Sequence, residues 1–431
     1  MDYRTTVDSF LKKYDQHPEA IHMAELTETF VSEMKAGLAG EPSSLMMIPT
    51  YLAADGNIPL GETAIAIDAG GTNLRTALVT FTETGIEVSD FTKRPMPGTL
   101  KPLTKEEFLA EMVDYLKPLV AKANKIGFCF SFPAEVQPDH DARVVMFCKE
   151  VNITGGEGMM ICREIADALK AAGVETPVHF VLLNDTVATL LGGPNPGPGE
   201  RMDGQIGFIL GTGTNTAYVE QCANIKKLGA AAGTGNMIIN TESGIFDKVP
   251  LGEFDRRMDA ASVNPNDHLF EKMISGVYLG AVIRETVLQA AREGLFSAEN
   301  TVLSLPEISM VEVDAFLRQP YGDNVIANTC ATDDDRELMY TFIDRALDRG
   351  AKLVTVNMAA LLEQMDGGKR MSAPCRIVVE GSTFHKCYSY RERIERYMKE
   401  FVNEQLGRYY IFTSGDDVNL AGSAGAALLN A

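Results

Sequence analysis

The 431-residue chain has no tryptophan and only seven cysteines: Cys129, Cys148, Cys162, Cys222, Cys330, Cys375 and Cys387. Their number is odd, they are scattered, and no CxxC pair exists. That excludes a disulfide framework and a zinc site, and the cysteines read as free thiols in a reducing compartment. No apolar run is long enough to cross a bilayer. The first residues, MDYRTTVDSFLKKYDQHPEA, are polar and hold no signal-peptide core, so the cytoplasm is the expected location. Positive charge is also scarce. Lys and Arg number 39 against 59 Asp and Glu, a net charge of -20, with a pI near 4.8. Such a field repels phosphates, so neither nucleic acid nor an anionic membrane is an expected partner. The length suits two or three domains with ample core.

Two glycine-threonine loops dominate what is present. AIAIDAGGTNLRTALVTF spans Ala64 to Phe81, and IGFILGTGTNTAYVE spans Ile206 to Glu220. Each reads as strand, tight turn, strand. Glycine lets a backbone approach a ligand closely, and threonine hydroxyls with clustered backbone N–H groups suit phosphate oxygens. Either loop alone reads equally as an ordinary hairpin turn. Two loops of one grammar, near Gly70 and Gly211, suggest two halves clamping one polyphosphate. Neither has the GKS/T ending of a Walker loop. A nucleotide bound in so acidic a chain is expected to bring Mg²⁺. The pair also hints at a duplication, although the matching stretch is too short to define a repeat.

Apolar spacing predicts amphipathic helices between about Thr5 and Ala39. A loop-rich linker follows, GEPSSLMMIPTYLAADGNIPLGE, and then strands through Phe91. A helix is expected near Glu106–Ala123, a buried strand at IGFCFSFP, a helix at Met160–Ala172 and a strand at His179–Asp185. GGPNPGPGERMDGQ, from Gly192 to Gln205, reads as an exposed turn region and a hinge. Beyond the second loop the pattern is mainly helical from about Asp267 to Leu406, interrupted by the strand RIVVEG. A strand near Tyr409–Phe412 and the helix AGSAGAALLNA close the chain. Alternating strands and helices in both halves give an α/β, two-lobed architecture.

HFVLLNDTVATLLGG ends an apolar strand in Asn184-Asp185-Thr186, at the sheet edge where α/β sites form. Asp185 reads either as a general base or as the cap of the next helix. Asn184 can fix a hydroxyl by giving and accepting hydrogen bonds. Ser131 lies between aromatics in FSFPAEV, facing a ligand or simply ending a core strand at Pro133. Glu242 in INTESGIF and Glu271 in HLFEKMISG each stand beside apolar residues. They could take paired sugar hydroxyls or sit at helix starts.

Taken in order, LMMIPTYL, AIDAGGTNLR, FSFP, LLNDTVATLL, GTGTN, INTE-GIF, FEKMISG-YLG, EGS-F and AGSAGAALL run across most of the chain, which resembles the eukaryotic-type hexokinase family. The resemblance implies an actin-like sugar kinase fold of two ribonuclease-H-like lobes around a cleft. It implies a smaller domain of residues 61–185 with 413–431 and a larger one of 1–60 with 186–412. The implied reaction is ATP-dependent phosphorylation of the 6-hydroxyl of glucose or a related hexose, with Asp185 as base. Ser131, Cys148, Lys149, Asn184, Asn215, Glu242 and Glu271 would hold the sugar. Asp68, Gly70, Gly71, Thr72, Asn73 and Arg75 would serve the first phosphate loop, with Asp68 placing Mg²⁺ through water. Gly211, Thr212 and Gly213 would form the second loop, and Gly381 and Ser382 would lie by the adenosine. The partners expected are the hexose and ATP, for a monomer or homodimer.

Three departures stand out. Phe147-Cys148-Lys149 replaces Trp-Thr-Lys, so a thiol stands for a hydroxyl. Thr241-Glu242-Ser243-Gly244 replaces Thr-Glu-Trp-Gly. LAGSAGAA replaces DGSG-GAA, which shifts the serine across Ala421, Gly422 and Ser423. The first two open a reading with mannose, fructose or an amino sugar as substrate. A weakly catalytic sugar sensor is the reading from another class, and the intact Asp185 argues against it.

Overall fold

The computed structural model describes residues 2–54, 58–147, 151–193, 199–415 and 417–431. Its frame is two sheets with one plan. The first contains β2 (Thr63–Ala69), β3 (Asn73–Thr82), β4 (Gly85–Pro95), β6 (Lys125–Phe130) and β10 (His179–Leu183), in the order β10-β6-β2-β3-β4. The second contains β1 (Ile48–Pro49), β11 (Gln205–Leu210), β12 (Thr214–Gln221), β13 (Asn236–Asn240), β14 (Cys375–Glu380) and β15 (Tyr410–Thr413), in the order β1-β13-β12-β11-β14-β15. In each sheet three antiparallel strands in succession are joined by two parallel ones, β6 and β10 in the first, β14 and β15 in the second. The duplication hinted at by the two loops is therefore visible as topology. Two small ribbons, β5 (Leu103–Thr104) with β9 (Ile153–Thr154) and β7 (Ala134–Val136) with β8 (Ala142–Val144), trim the first sheet.

Helices α3 (Lys105–Val120) and α4 (Ile161–Ala171) cover the first sheet, where Phe108, Met112, Leu116, Ile165 and Leu169 join Ile67, Ile126 and Phe128 in one core. The second sheet is buried by a helical body. It holds α1 (Tyr3–Lys13), α2 (Met23–Ala39), α6 (Glu253–Ala261), α7 (Leu269–Ile274), α8 (Leu279–Arg292), α9 (Met310–Arg318), α10 (Asp333–Gln364), α11 (Ser382–Lys386) and α12 (Tyr390–Tyr397). The 32-residue α10 starts at a capping box between Thr332 and Asp335 and is its axis.

Two helices cross between the sheets. α5 (Asp185–Leu191) leaves the first sheet after β10, yet Gly207 of β11 meets its backbone at Thr186 and Leu190. α13 (Val418–Asn430) leaves the second sheet after β15, yet Leu420, Ala424, Ala427 and Leu428 pack on Ala64, Ala66, Ala77 and Val79 of the first. The approach is backbone to backbone. A Cβ on Gly422 would overlap the Ala188 carbonyl, one on Gly192 the Val418 carbonyl, and one on Gly127 the Ser423 carbonyl. The small-residue run AGSAGAA is thus a packing device. Ser423 is fully buried and its Oγ donates to the Asn419 carbonyl at 2.6 Å.

The helix and strand positions expected from spacing are found within a few residues. Three features differ. The linker after α2 is partly ordered as β1, paired antiparallel to β13 at Ile48–Asn240. The strand β13 itself went unforeseen. Asn184, not Asp185, is the N-cap of α5. The proposed hinge near Gly192–Gln205 falls partly on 194–198, outside the described residues. The six described cysteines are buried and outside any disulfide, and among the described residues no helix is long and apolar enough to cross a membrane.

The close crossing gives a test whose sign opposes helix propensity. Alanine in a helix interior is favoured over glycine by about 1 kcal/mol. Gly422→Ala should nonetheless destabilise the protein by about 1–3 kcal/mol, the usual cost of overpacking. Gly425→Ala, where a Cβ meets the tip of Ile58 at 3.0 Å and the Phe81 ring at 3.6 Å but no backbone, should be neutral or stabilising. Urea unfolding of both variants decides; equal effects would mean that the crossing tolerates an added methyl group.

Candidate functional site

The first loop joins Ala69 to Leu74 and closes through the Gly70 N–H on the Asn73 carbonyl at 3.0 Å. Thr72 is exposed at its tip. One residue before the strand end, Asp68 is 5% exposed. Its Oδ2 accepts Nε of Arg75 at 2.8 Å and also the Nη2 of the same guanidinium. Arg75 Nη1 lies 3.7 Å from Asp417 Oδ1, at the start of α13.

The second loop joins Leu210 to Thr214, one residue shorter, with the Gly211 N–H on the Gly213 carbonyl at 2.9 Å. Thr212 is its exposed tip. The Gly211 carbonyl is held from beneath by Gly276 N–H and Thr383 Oγ1, each at 2.8 Å. Gly381 has a φ of +111°, and a side chain there would strike the Leu210 carbonyl. Only glycine fits that position. Gly211, Gly381 and Ser382 are brought together, since the position of a Gly211 Cβ is 3.4 Å from Gly381 Cα and 3.6 Å from Ser382 N.

Asp185 stands just beyond the end of β10. Because Asn184 Oδ1 takes the Thr186 N–H at 2.8 Å as the cap, Asp185 becomes the first residue of α5. Its Oδ1 accepts the same N–H at 2.8 Å, and its Oδ2 faces Ser131 Oγ at 3.4 Å. Cys129, one residue beyond Phe128 on β6, pairs with Asp68 on one side and Leu183 on the other. Burial first, then the charges of Asp68 and Asp185, push its thiol pKa well above 9.0. The two aspartates therefore flank one buried thiol.

A second polar group comes from the other sheet. Asn215 Nδ2 donates to Asn240 Oδ1 at 2.8 Å, and Asn240 Nδ2 donates to Glu242 Oε1 at 2.7 Å. Asn215 Nδ2 also reaches Glu242 Oε1 at 3.4 Å, and Asn215 Oδ1 accepts the Ser243 N–H at 3.2 Å. Glu242 adopts a left-handed backbone, φ +54°, two residues after the end of β13. Glu271, in the first turn of α7, takes the Thr214 N–H on Oε2 at 2.9 Å. A Cβ on Gly213 would stand 2.5 Å from that oxygen. Burial pushes both glutamates above the ordinary 4.5; for Glu242 the Asn240 donor opposes the shift, and the charges of Asp185 and Glu271 add to it. Asp185 of the first sheet and the two glutamates of the second thus share one electrostatic neighbourhood.

Of the residues singled out in the sequence, Cys148 and Lys149 lie outside the described residues. The others converge on three adjoining clusters: Asp68, Arg75, Ser131 and Asp185; Asn215, Glu242 and Glu271; and Gly211, Gly381 and Ser382. Sequence reasoning missed Asn240, which couples Asn215 to Glu242. It also missed Cys129 beneath the aspartates and the Gly276–Thr383 support under the second loop. Asn240 was readable as the asparagine of INTE; the supports depend on register and crossing, which a linear reading does not contain.

The described arrangement matches known proteins along its length. A family model described as hexokinase matches residues 6–194, and a second model of the same description matches 205–429. Hexokinase-1 of Nicotiana tabacum is 31% identical over 449 aligned positions, covering 95% of this chain and 87% of that protein. Hexokinase-1 of Schizosaccharomyces pombe is 28% identical, covering 99% and 90%. Among solved structures, the chain is similar to the Schistosoma mansoni hexokinase complexed with glucose, with a TM-score of 0.73 at 22% identity, covering 99% and 98% of the two chains. A second hexokinase crystal structure gives a TM-score of 0.79 at 21% identity, covering 99% and 100%.

The raised pKa of Glu242 has a stability consequence. The folded state prefers the protonated carboxyl, so stability falls as pH rises from the unfolded value toward the folded one and stays lower above it. Glu242→Gln keeps an oxygen for Asn240 and removes the charge. It should raise the melting temperature at pH 7.5 by about 1–2 °C, with the gain vanishing near pH 4. Calorimetry at both pH values checks this; a lower melting temperature at pH 7.5 would contradict it.

Proposed function

The chain belongs to the hexokinase family and so phosphorylates a hexose with ATP; from that premise we propose that Asp185 is the general base, acting on the 6-hydroxyl of glucose or a related hexose. The observation that supports it is the meeting of Asp185 and Ser131 with the Asn215–Asn240–Glu242 and Glu271 cluster. Carboxylates and carboxamides at this spacing accept and donate to a ring of hydroxyls at once. The Schistosoma relative's complex with glucose makes glucose the first hexose to test.

In this reading Ser131, Cys148, Lys149, Asn184, Asn215, Glu242 and Glu271 hold the sugar with its 6-hydroxyl within reach of an Asp185 oxygen. Phosphoryl transfer asks the protein mainly for position and charge neutralisation. The exposed tips Thr72 and Thr212 and the N–H groups of Gly71, Asn73 and Gly213 are suited to phosphate oxygens, while Gly70 and Gly211 close the two turns. Gly381 and Ser382 border the adenosine. The donors fit a Mg²⁺ carried on ATP. Asp68 is a single buried carboxylate oriented by Arg75, and among the described residues no three His, Cys, Asp or Glu side chains form a cage. Mg²⁺ takes one or two carboxylates and otherwise phosphates and water. Bound Mg²⁺ would neutralise charge on the transferring group, with Asp68 holding it through water.

Residues 61–185 with 413–431 form one moving body and 1–60 with 186–412 the other, so a sugar touching both favours the closed cleft and shuts out water. Free buried thiols suit a reducing compartment, and we place the protein in the cytoplasm, as a monomer or homodimer.

Two measurements test this reading. Asp185→Ala should fold and bind glucose but lose about 10²–10⁴-fold in kcat, the usual worth of a general base; activity within a few fold of wild type would reject the assignment. Small-angle scattering should show a smaller radius of gyration at saturating substrate hexose, and an unchanged radius would argue against closure.

A further inference from the structure

The helix that carries Glu271 is anchored by a buried ion pair that the proposed chemistry does not use. Lys272 is 3% exposed and Asp259, on α6, is 6% exposed. Lys272 Nζ donates to Asp259 Oδ1 at 2.6 Å, to Ser262 Oγ at 2.9 Å and to the Asn264 carbonyl at 2.6 Å. Those three contacts use all three ammonium protons, so Lys272 has none left for a ligand. Asp259 in turn accepts the Asn266 N–H on both oxygens, at 3.1 and 2.9 Å. The loop from Ser262 to His268 is therefore pinned at both ends.

That loop needs pinning. Asn266 and His268 both have left-handed backbones, with φ of +65° and +52°. Non-glycine residues persist there only when surrounding contacts over-determine them. His268 is the N-cap of α7, and its carbonyl accepts the Lys272 N–H at 3.0 Å. Its conformation sets where the first turn begins, and Glu271 lies in that turn. The slot around Glu271 leaves little slack. One oxygen is on the Thr214 N–H, Gly213 is packed beneath it, and the position of a Gly244 Cβ is 3.3 Å from Glu271 Cβ.

We propose that Asp259 and Lys272 are positioning residues for sugar binding: their buried pair fixes the strained 262–268 loop, and through it the orientation of Glu271. This rests on the reading of Glu271 as a sugar ligand. Removing one member would strand a buried charge and destabilise the fold. The informative variant therefore replaces both, Asp259→Asn with Lys272→Met. Ser262→Ala is the milder arm, since it removes one of three acceptors and leaves the ion pair.

The measurements are KM for glucose, KM for MgATP, kcat and thermal unfolding, with Glu271→Gln as reference. The double variant should raise the glucose KM on the order of 10-fold, the scale of a weakened hydrogen bond to a charged group. Its MgATP KM and kcat should stay within about twofold, the signature of lost ground-state binding. Ser262→Ala should raise the glucose KM about twofold by the same argument. An unchanged glucose KM in a folded double variant overturns the inference, as does an equal rise in both KM values. If the double variant does not fold, the inference stands or falls on whether Ser262→Ala raises the glucose KM alone. A Glu271→Gln variant with unchanged glucose KM overturns the sugar-site reading itself, and this inference with it.

Discussion

The contact on which the rest depends is the crossing of α5 and α13 between the two sheets. Each helix springs from one sheet and packs on the other, and the backbones come close enough that Gly127, Gly192 and Gly422 have no room for a Cβ. Dispersion and burial at such a contact are won only if both backbones stay in register. The crossing links the sheets through a shared apolar cluster, in which Val181 and Leu183 of the first join Ala217 and Ile238 of the second around α5, while each sheet also keeps its own larger cluster. It also puts Asp185 at the start of α5, just beyond the end of β10.

The site is electrostatically costly in its ligand-free form. Glu242 and Glu271 are half-buried, and Asp185 adds a like charge to the surroundings of Glu242. Hydrogen bonds from Asn240 and the Thr214 N–H offset part of that cost. Carboxylates held this way can accept hydroxyl donors with little reorganisation, which is the use of preorganised charge in a cleft. Asp68 is treated differently: Arg75 satisfies one oxygen, and the guanidinium also faces Asp417 at the start of α13. Asp68, beside the first glycine loop, is thus linked through Arg75 to the start of the same crossing helix.

Much of this was legible in the linear pattern. The hairpins around Gly70 and Gly211, the strand ending at Asn184-Asp185, and the closing helix followed from apolar period and glycine placement, because those signals are local. The linear pattern leaves the cap of α5 open at Asp185, and it falls on Asn184, since the two are adjacent acceptors and only the observed backbone shows which of them precedes the first helical turn. The shifted serine of the closing motif, Ser423, is packed inside α13. Asn240 was passed over because its strand is short and its partners are 25 residues earlier and two residues later in the chain.

By itself, the sequence determined the two-lobed α/β class, the two loops, the Asn184-Asp185 pair at the end of an apolar strand and the family, each carried by residues close together in the chain. The tertiary structure alone decided that the two sheets share one strand order and that their terminal helices exchange faces. It alone placed Cys129 between Asp68 and Asp185, and set Asn240 and the Asp259–Lys272 pair behind the glutamates. These are contacts between distant segments, and their energies depend on register, burial and backbone approach, which exist only once the chain has folded.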